Sequence, residues 1–191
     1  MTRRSRKIIV AITGASGAAY AERLLKRLSA LEKPPAVIAV VLTDTAREIW
    51  EHETGRKVKL SKNLTEYDNK SFYAPFASGS SDYDTMIICP ASMGSVGRIA
   101  NGISDDLITR AADVILKERR KLIIVPREAP FNLIHLKNME ALTLAGAIIC
   151  PASPSFYSKP ETVEALIDTV IDRIISLADF EADTYRWMDN G

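Results

Sequence analysis

Two short segments hold the side chains with the most chemical capacity. Thr13-Gly14-Ala15-Ser16-Gly17 follows the apolar run Lys7–Ile12 and opens a stretch of helical spacing. Glycines let a backbone approach an anion closely, a helix N-terminus offers free N–H groups and partial positive charge, and Ser16 adds a hydroxyl. That placement suits a phosphorylated ligand; the competing reading is a plain packing turn. The loop has G-x-x-G and lacks the third glycine of the dinucleotide fingerprint, and no Gly-Lys-Ser/Thr follows it as in a Walker loop. The second segment is Val125-Pro126-Arg127-Glu128-Ala129-Pro130-Phe131. An arginine clamps phosphate oxygens, and a neighbouring glutamate moves protons if its pKa is raised. The flanking prolines argue for a fixed loop rather than a surface Arg-Glu pair.

These segments need a scaffold that brings them together, and the apolar pattern predicts one. Lys7–Ile12, Ala36–Leu42, Thr85–Cys89, Lys121–Val125 and Ala147–Cys150 read as short buried strands. Ala18–Leu31, Thr45–Glu53, Ser104–Arg120, Leu136–Leu144 and Pro160–Asp179 read as helices. Thr43 or Asp44 is the cap of the second helix and Gly55 its stop, while Pro160 takes a first-turn position in the last one. Arg56–Ser71 reads as a variable connection with room for an edge strand, and Phe72–Ser81 as a loop. Strands alternating with helices imply crossover connections, hence an α/β fold with a mainly parallel sheet and helices on both faces. No linker is visible, so residues 1–191 are expected to form a single domain.

Ile87-Ile88-Cys89-Pro90-Ala91-Ser92 recurs as Ile148-Ile149-Cys150-Pro151-Ala152-Ser153, and Ile124-Val125-Pro126-Arg127-Glu128 shares the strand-then-proline form. Proline has no N–H for a ladder and is expected to end each strand. Parallel sheets bind ligands outside the carboxyl ends of their strands, so these three ends place polar groups on one rim. Three ordinary strand stops are the alternative.

Composition removes several classes of function. With 25 basic and 24 acidic residues there is no electrostatic case for nucleic acid or an anionic membrane as partner. No apolar run approaches the ~20 residues that span a bilayer. The run after the basic Met1–Arg6 is too short for a signal-peptide core, so a cytoplasmic protein is expected. Cys89 and Cys150 read as small buried hydrophobes at strand ends, with a ligand-contacting thiol as the minor reading. His52 and His135 lie far apart, so no histidine metal site is expected. An NAD site would want an acid at the end of the second strand, where Thr43-Asp44 stands. No Tyr-x-x-x-Lys pair or hydride-transfer histidine accompanies it, and a mononucleotide fits the short chain better.

Thr13-Gly14-Ala15-Ser16-Gly17, Ser78-Gly79-Ser80, Arg110-Ala111-Ala112-Asp113-Val114, Leu116-Lys117-Glu118-Arg119-Arg120, Pro126-Arg127-Glu128-Ala129-Pro130 and Phe156-Tyr157 occur in this order. Together they resemble the UbiX-type flavin prenyltransferases over nearly the whole chain, Arg56–Ser71 and the last few residues excepted. The resemblance implies a three-layer Rossmann-like fold in the flavoprotein family that includes phosphopantothenoylcysteine decarboxylases. It implies reduced FMN as acceptor and dimethylallyl phosphate as donor, with bonds formed at N5 and C6 of the flavin. Prenylated FMN, the product, would pass to a UbiD-type decarboxylase. No metal is implied, and the oligomer would be a dodecamer with sites at subunit interfaces.

Carried over by position, Gly14, Ala15, Ser16 and Thr43 would contact the flavin, Ser92, Met93, Gly94 and Ser95 would form a second flavin loop, and Arg127 would reach a phosphate. Lys117, Arg127, Tyr157 and Arg173 would hold the dimethylallyl phosphate, with Arg110 in support. Glu128 would relay protons, with Ser16 and Glu53 near the reacting ring. Each has a plainer reading: Arg173 and Glu53 as solvated helix positions, Tyr157 as packing, Lys117 as a helix C-terminal cation. Thr43 and Ser95 stand where the family more often has Ser and Thr. Phe72 or Tyr73 stands near the place of a family tryptophan. Two rivals remain: an FMN-dependent decarboxylase of the phosphopantothenoylcysteine type, whose histidine and Pro-x-Met-Asn segment are missing here, and a non-catalytic flavin-binding regulatory subunit.

Overall fold

The computed structural model describes residues 6–182. Of the basic start, only Arg6 lies within them. Six parallel strands form one sheet in the order β3-β2-β1-β4-β5-β6. They are β1 (Lys7–Ile12), β2 (Val37–Leu42), β3 (Leu64–Asp68), β4 (Tyr83–Ala91), β5 (Lys121–Pro126) and β6 (Ile148–Ile149). The helices are α1 (Ala18–Ser29), α2 (Asp44–Thr54), α3 (Met93–Ala100), α4 (Leu107–Lys117), α5 (Leu133–Leu144) and α6 (Val163–Leu177).

Side chains alternate across a strand, so each central strand supplies two cores. Ile8, Val10 and Ile12 of β1 pack with Leu24 and Leu28 of α1, Trp50 of α2 and Ile171 of α6. Ile9 and Ala11 face the other side, toward Val96 of α3, Ile108 and Ala111 of α4 and Leu142 of α5. The expected α/β architecture with helices on both faces is therefore present, and the edge strand expected within Arg56–Ser71 is β3.

Several expectations change. No helix was expected between the fourth strand and Ser104, yet α3 fills that space; Gly94 and Gly97 lower its intrinsic propensity. Buried Met93, Val96 and Ile99 and the Ser92 cap, which accepts from the Ser95 N–H at 3.3 Å, hold it in place. Helix α4 starts at Leu107 rather than Ser104, because Asp106 and Thr109 form a reciprocal capping box. Helix α6 starts at Val163 with Thr162 as cap, so Pro160 lies before the helix instead of in its first turn. Pro90 does not end β4: the strand continues to Ala91 across a register shift between Ile88 and Ala91. A bulge of this kind has no use for the missing N–H. Phe72–Ser81 is not all irregular, since Pro75–Ala77 makes a 3₁₀ turn that buries Phe76.

Strand order reverses between β1 and β4. Helices that follow strands on the two sides of such a point diverge, leaving a crevice outside the carboxyl ends. The loops after β1 and β4 border that crevice.

Candidate active site at the β1–β4 crevice

The two loops are joined directly. The Thr13 N–H and hydroxyl both reach the Pro90 carbonyl, at 3.2 and 3.1 Å, and the Ser92 N–H donates to Thr13 Oγ1 at 2.7 Å. Thr13 is 1% exposed. Arg127, just past β5, donates from Nε to the Ser16 carbonyl at 3.0 Å. A guanidinium has five N–H donors, so this bond leaves others for an anion. Glu128 follows on the exposed side of the loop, its carboxylate accepting from the Ala129 N–H at 3.1 Å. Gly14, Ala15, Ser16, Ser92, Met93, Gly94, Ser95, Arg127 and Glu128 thus share one rim.

Gly14 is required by packing: a Cβ there would lie 2.8 Å from Thr45 Cγ2. Gly17 is required by conformation, with φ near 125°. Thr43 closes the wall at the end of β2 and caps α2 by accepting from the Ala46 N–H at 3.0 Å. Its neighbour Asp44 pairs with Lys70 at 2.7 Å, turned toward the β3 side. The acid that an NAD ribose would need is engaged there.

The free amides at the start of α1 already have a partner. Glu53, in the last turn of α2, accepts from the Gly17 N–H at 3.0 Å and the Ala18 N–H at 2.8 Å. Partial burial raises its pKa, but hydrogen bonds from Ser16, Ala18 and Gly17 and the charge of Arg127 outweigh it, so the net shift is downward. Glu53 is neither a purely solvated residue nor a proton donor at neutral pH. It is an anionic clamp on the glycine loop.

Glu53→Gln is expected to loosen this clamp and to flatten the acid limb of stability. The folded pKa lies below the ordinary value of 4.5, so the stabilisation is complete above that value and is lost as pH falls through the folded one. Urea unfolding of the ligand-free protein should show the variant weaker at pH 7 by on the order of 0.5 kcal/mol. The gap should narrow as pH falls below 4.5 and through the lower folded value; a gap independent of pH would count against the clamp.

By contrast, the α3 N-terminus is open. A Cβ on Gly94 would meet nothing within 4 Å, and the Ser92 and Ser95 hydroxyls lie 3.1 Å apart beside it. An anion finds unclaimed amides at α3 rather than at α1.

Other candidates lie elsewhere in the chain. Lys117 ends α4 beside Glu118, with its Nζ against Gly79, near the amino ends of β4 and β5. Arg110 donates to the Ala77 carbonyl at 3.0 Å and pairs with Asp113 at 2.9 Å. Tyr157 is exposed in the segment between β6 and α6. Arg173 lines a groove of about 840 Å³ along α6 with Cys150, Ser153 and Ser155. The fold therefore gathers the flavin-type residues, while Lys117 stands at the opposite, amino-end edge of the sheet. Large apolar side chains are also exposed: Tyr73 fully, with Phe131, Leu133, Ile134 and Phe156. Leu142 is the buried residue of α5, so most of that helix has no cover within the chain.

Cys89 is fully buried two residues inside β4, and burial pushes its thiol far above the ordinary range, which suits a small hydrophobe. Cys150, just past β6, is half-buried, and burial raises its thiol too, against the opposing charge of Arg173. No group that could hold a metal ion occurs among the described residues, and no helix there is long and apolar enough to cross a membrane.

The model of a family described as Flavoprotein matches residues 1–175. The chain is 44% identical over 184 residues to the flavin prenyltransferase UbiX of Methanocaldococcus jannaschii, covering 95% of this chain and 98% of that one. It superposes with a TM-score of 0.88 at 39% identity on a UbiX protein, AnUbiX, solved with FMN and dimethylallyl pyrophosphate, covering 98% and 99% of the two chains. A dodecameric FMN-dependent UbiX-like decarboxylase from Escherichia coli O157:H7 gives a TM-score of 0.89 at 36% identity, covering 95% and 99%.

Proposed function

The chain belongs to the UbiX-type flavin prenyltransferases of the Flavoprotein family, and on that premise we propose how its residues perform the transfer. It moves a dimethylallyl group from dimethylallyl phosphate to reduced FMN, yielding prenylated FMN and free phosphate. The observation that carries this for the chain itself is the joined pair of loops at the β1–β4 crevice with Arg127 laid across it.

The residues fit FMN. The open α3 N-terminus with Ser92, Met93, Gly94 and Ser95 suits the phosphate end, and Arg127 adds charge to it. Gly14, Ala15, Ser16 and Thr43 wall the ring end. Reduced FMN supplies the electron-rich N5 and C6 that take the allyl group. Ser16, oriented by the anionic Glu53, faces that region. Glu128 accepts the proton lost when the bond to C6 closes the new ring. Lys117, Tyr157 and Arg173, with Arg110 in support, receive the donor; cations stabilise the charge that builds on the leaving phosphate, and aromatic side chains suit the allyl cation.

Since Lys117 stands at the opposite edge of the sheet from Arg127 and Glu128, a second copy of the chain is needed to bring that cation to the site. The exposed apolar side chains of α5 and its neighbours provide a surface for it. We infer a homo-oligomer, a dodecamer by analogy, built from one domain per chain. The setting is cytoplasmic, and a UbiD-type decarboxylase receives the product.

The test is to incubate the protein anaerobically with reduced FMN and dimethylallyl monophosphate and weigh the extracted flavin. The expected flavin is heavier by one dimethylallyl unit. An unchanged mass with both ligands bound would sink the proposal and favour a regulatory flavin carrier. A phosphopantothenoylcysteine-type decarboxylase is disfavoured by His135, which sits in a capping box with Asn132 at the start of α5.

A further inference from the structure

We propose that Thr13 is a positioning residue, whose buried hydroxyl sets the second flavin loop against the first. This rests on the reading of the crevice as an FMN site.

Regular pairing between β1 and β4 runs only as far as Ala11 with Ile88. Beyond it β4 shifts register, and Pro90 has no N–H to contribute. The end of β4 would be held loosely, were it not for one side chain. Thr13 Oγ1 donates to the Pro90 carbonyl at 3.1 Å and accepts from the Ser92 N–H at 2.7 Å, so both functions of the hydroxyl are used. The Thr13 N–H adds a third bond to the same carbonyl at 3.2 Å.

Ser92 is the residue through which this matters. It caps α3, and its Oγ accepts from the Ser95 N–H at 3.3 Å. Fixing the Ser92 backbone therefore fixes the direction of the α3 N-terminus and of Met93, Gly94 and Ser95. Thr13 itself is 1% exposed and its hydroxyl is engaged at both Pro90 and Ser92, so it acts through Ser92 rather than on a ligand. Valine has the same shape but no hydroxyl. It would leave the part-buried Ser92 N–H without its acceptor, and an orphaned donor away from bulk water is costly. A loop that must be ordered before binding lowers affinity by the fraction of molecules in the competent arrangement.

The experiment compares wild type, Thr13→Val and Thr13→Ser by quenching of FMN fluorescence, well below each protein's melting temperature. Thr13→Val is expected to bind FMN about tenfold more weakly. Thr13→Ser, which restores the hydroxyl, should come within about twofold of wild type. A role confined to folding would lower the melting temperature of Thr13→Val and leave its FMN affinity unchanged, which overturns the proposal. So does a serine variant as weak as the valine one. If Thr13→Val does not fold, amide exchange of the wild type decides: the Ser92 N–H should be strongly protected without ligand, and exchange at the rate of an open loop overturns the idea. Wild type that fails to bind FMN overturns the flavin reading instead, a result separate from any of these.

Discussion

Glu128→Gln is expected to bind FMN like the wild type and to lose prenyl transfer by about 100- to 10,000-fold, the range set by removal of a positioned general base. Glutamine keeps the length of the side chain and an oxygen to accept from the Ala129 N–H, the bond that holds the carboxylate at 3.1 Å. It also leaves untouched the adjacent Arg127 and its bond to the Ser16 carbonyl. What it cannot do is take a proton. Single-turnover reactions with reduced FMN and dimethylallyl phosphate, followed by flavin mass, separate the two effects. The step that closes the ring at C6 should suffer, while FMN titration gives an unaltered dissociation constant. A variant with wild-type turnover would remove Glu128 from the mechanism; one that cannot bind FMN would make it structural.

The second large effect concerns Lys117. It ends α4, four residues before β5 begins, while Arg127 and Glu128 follow the far end of that strand. Six residues of strand at about 3.3 Å each separate the two by about 20 Å. No rotamer of lysine crosses that distance. If Lys117 stabilises the leaving phosphate, it does so in the crevice of a neighbouring copy. Lys117→Ala alone should lose about 100- to 1,000-fold in turnover, as expected for a cation facing developing charge. Glu128→Gln alone is equally inactive. Oligomers assembled from equal amounts of the two variants should regain about a quarter of wild-type activity, because random pairing leaves that share of two-chain sites intact. Mixed oligomers no better than either variant alone would show that Lys117 serves its own chain or plays no part.

Much of this site was legible in the residues themselves. Thr13–Gly17 lies between a strand and a helix because apolar runs and glycines are local signals, and the loop sits where its pattern put it. Arg127 and Glu128 are on the same rim for the same reason: β5 ends at Pro126 and the chain must turn. The anion cradle was only half legible. A helix start after a glycine loop looks open in sequence, yet Glu53, thirty-six residues on from Gly17, occupies the α1 amides. Helix α3 escaped notice because Gly94 and Gly97 argue against a helix, and the burial of Met93, Val96 and Ile99 against the sheet overrides them.

The glycine loop, the alternation of strands with helices, and the ordered motifs that mark the family were determined by the sequence alone. They depend on the chemistry of neighbouring residues and on periodicity. Strand order, the Thr13 bridge to Pro90 and Ser92, the Glu53 clamp and the separation of Lys117 from Glu128 were decided only by the tertiary structure. Each is a contact, or a distance, between residues far apart in the chain. Such relations arise when two faces of one sheet are buried at once, and no window of local sequence contains them.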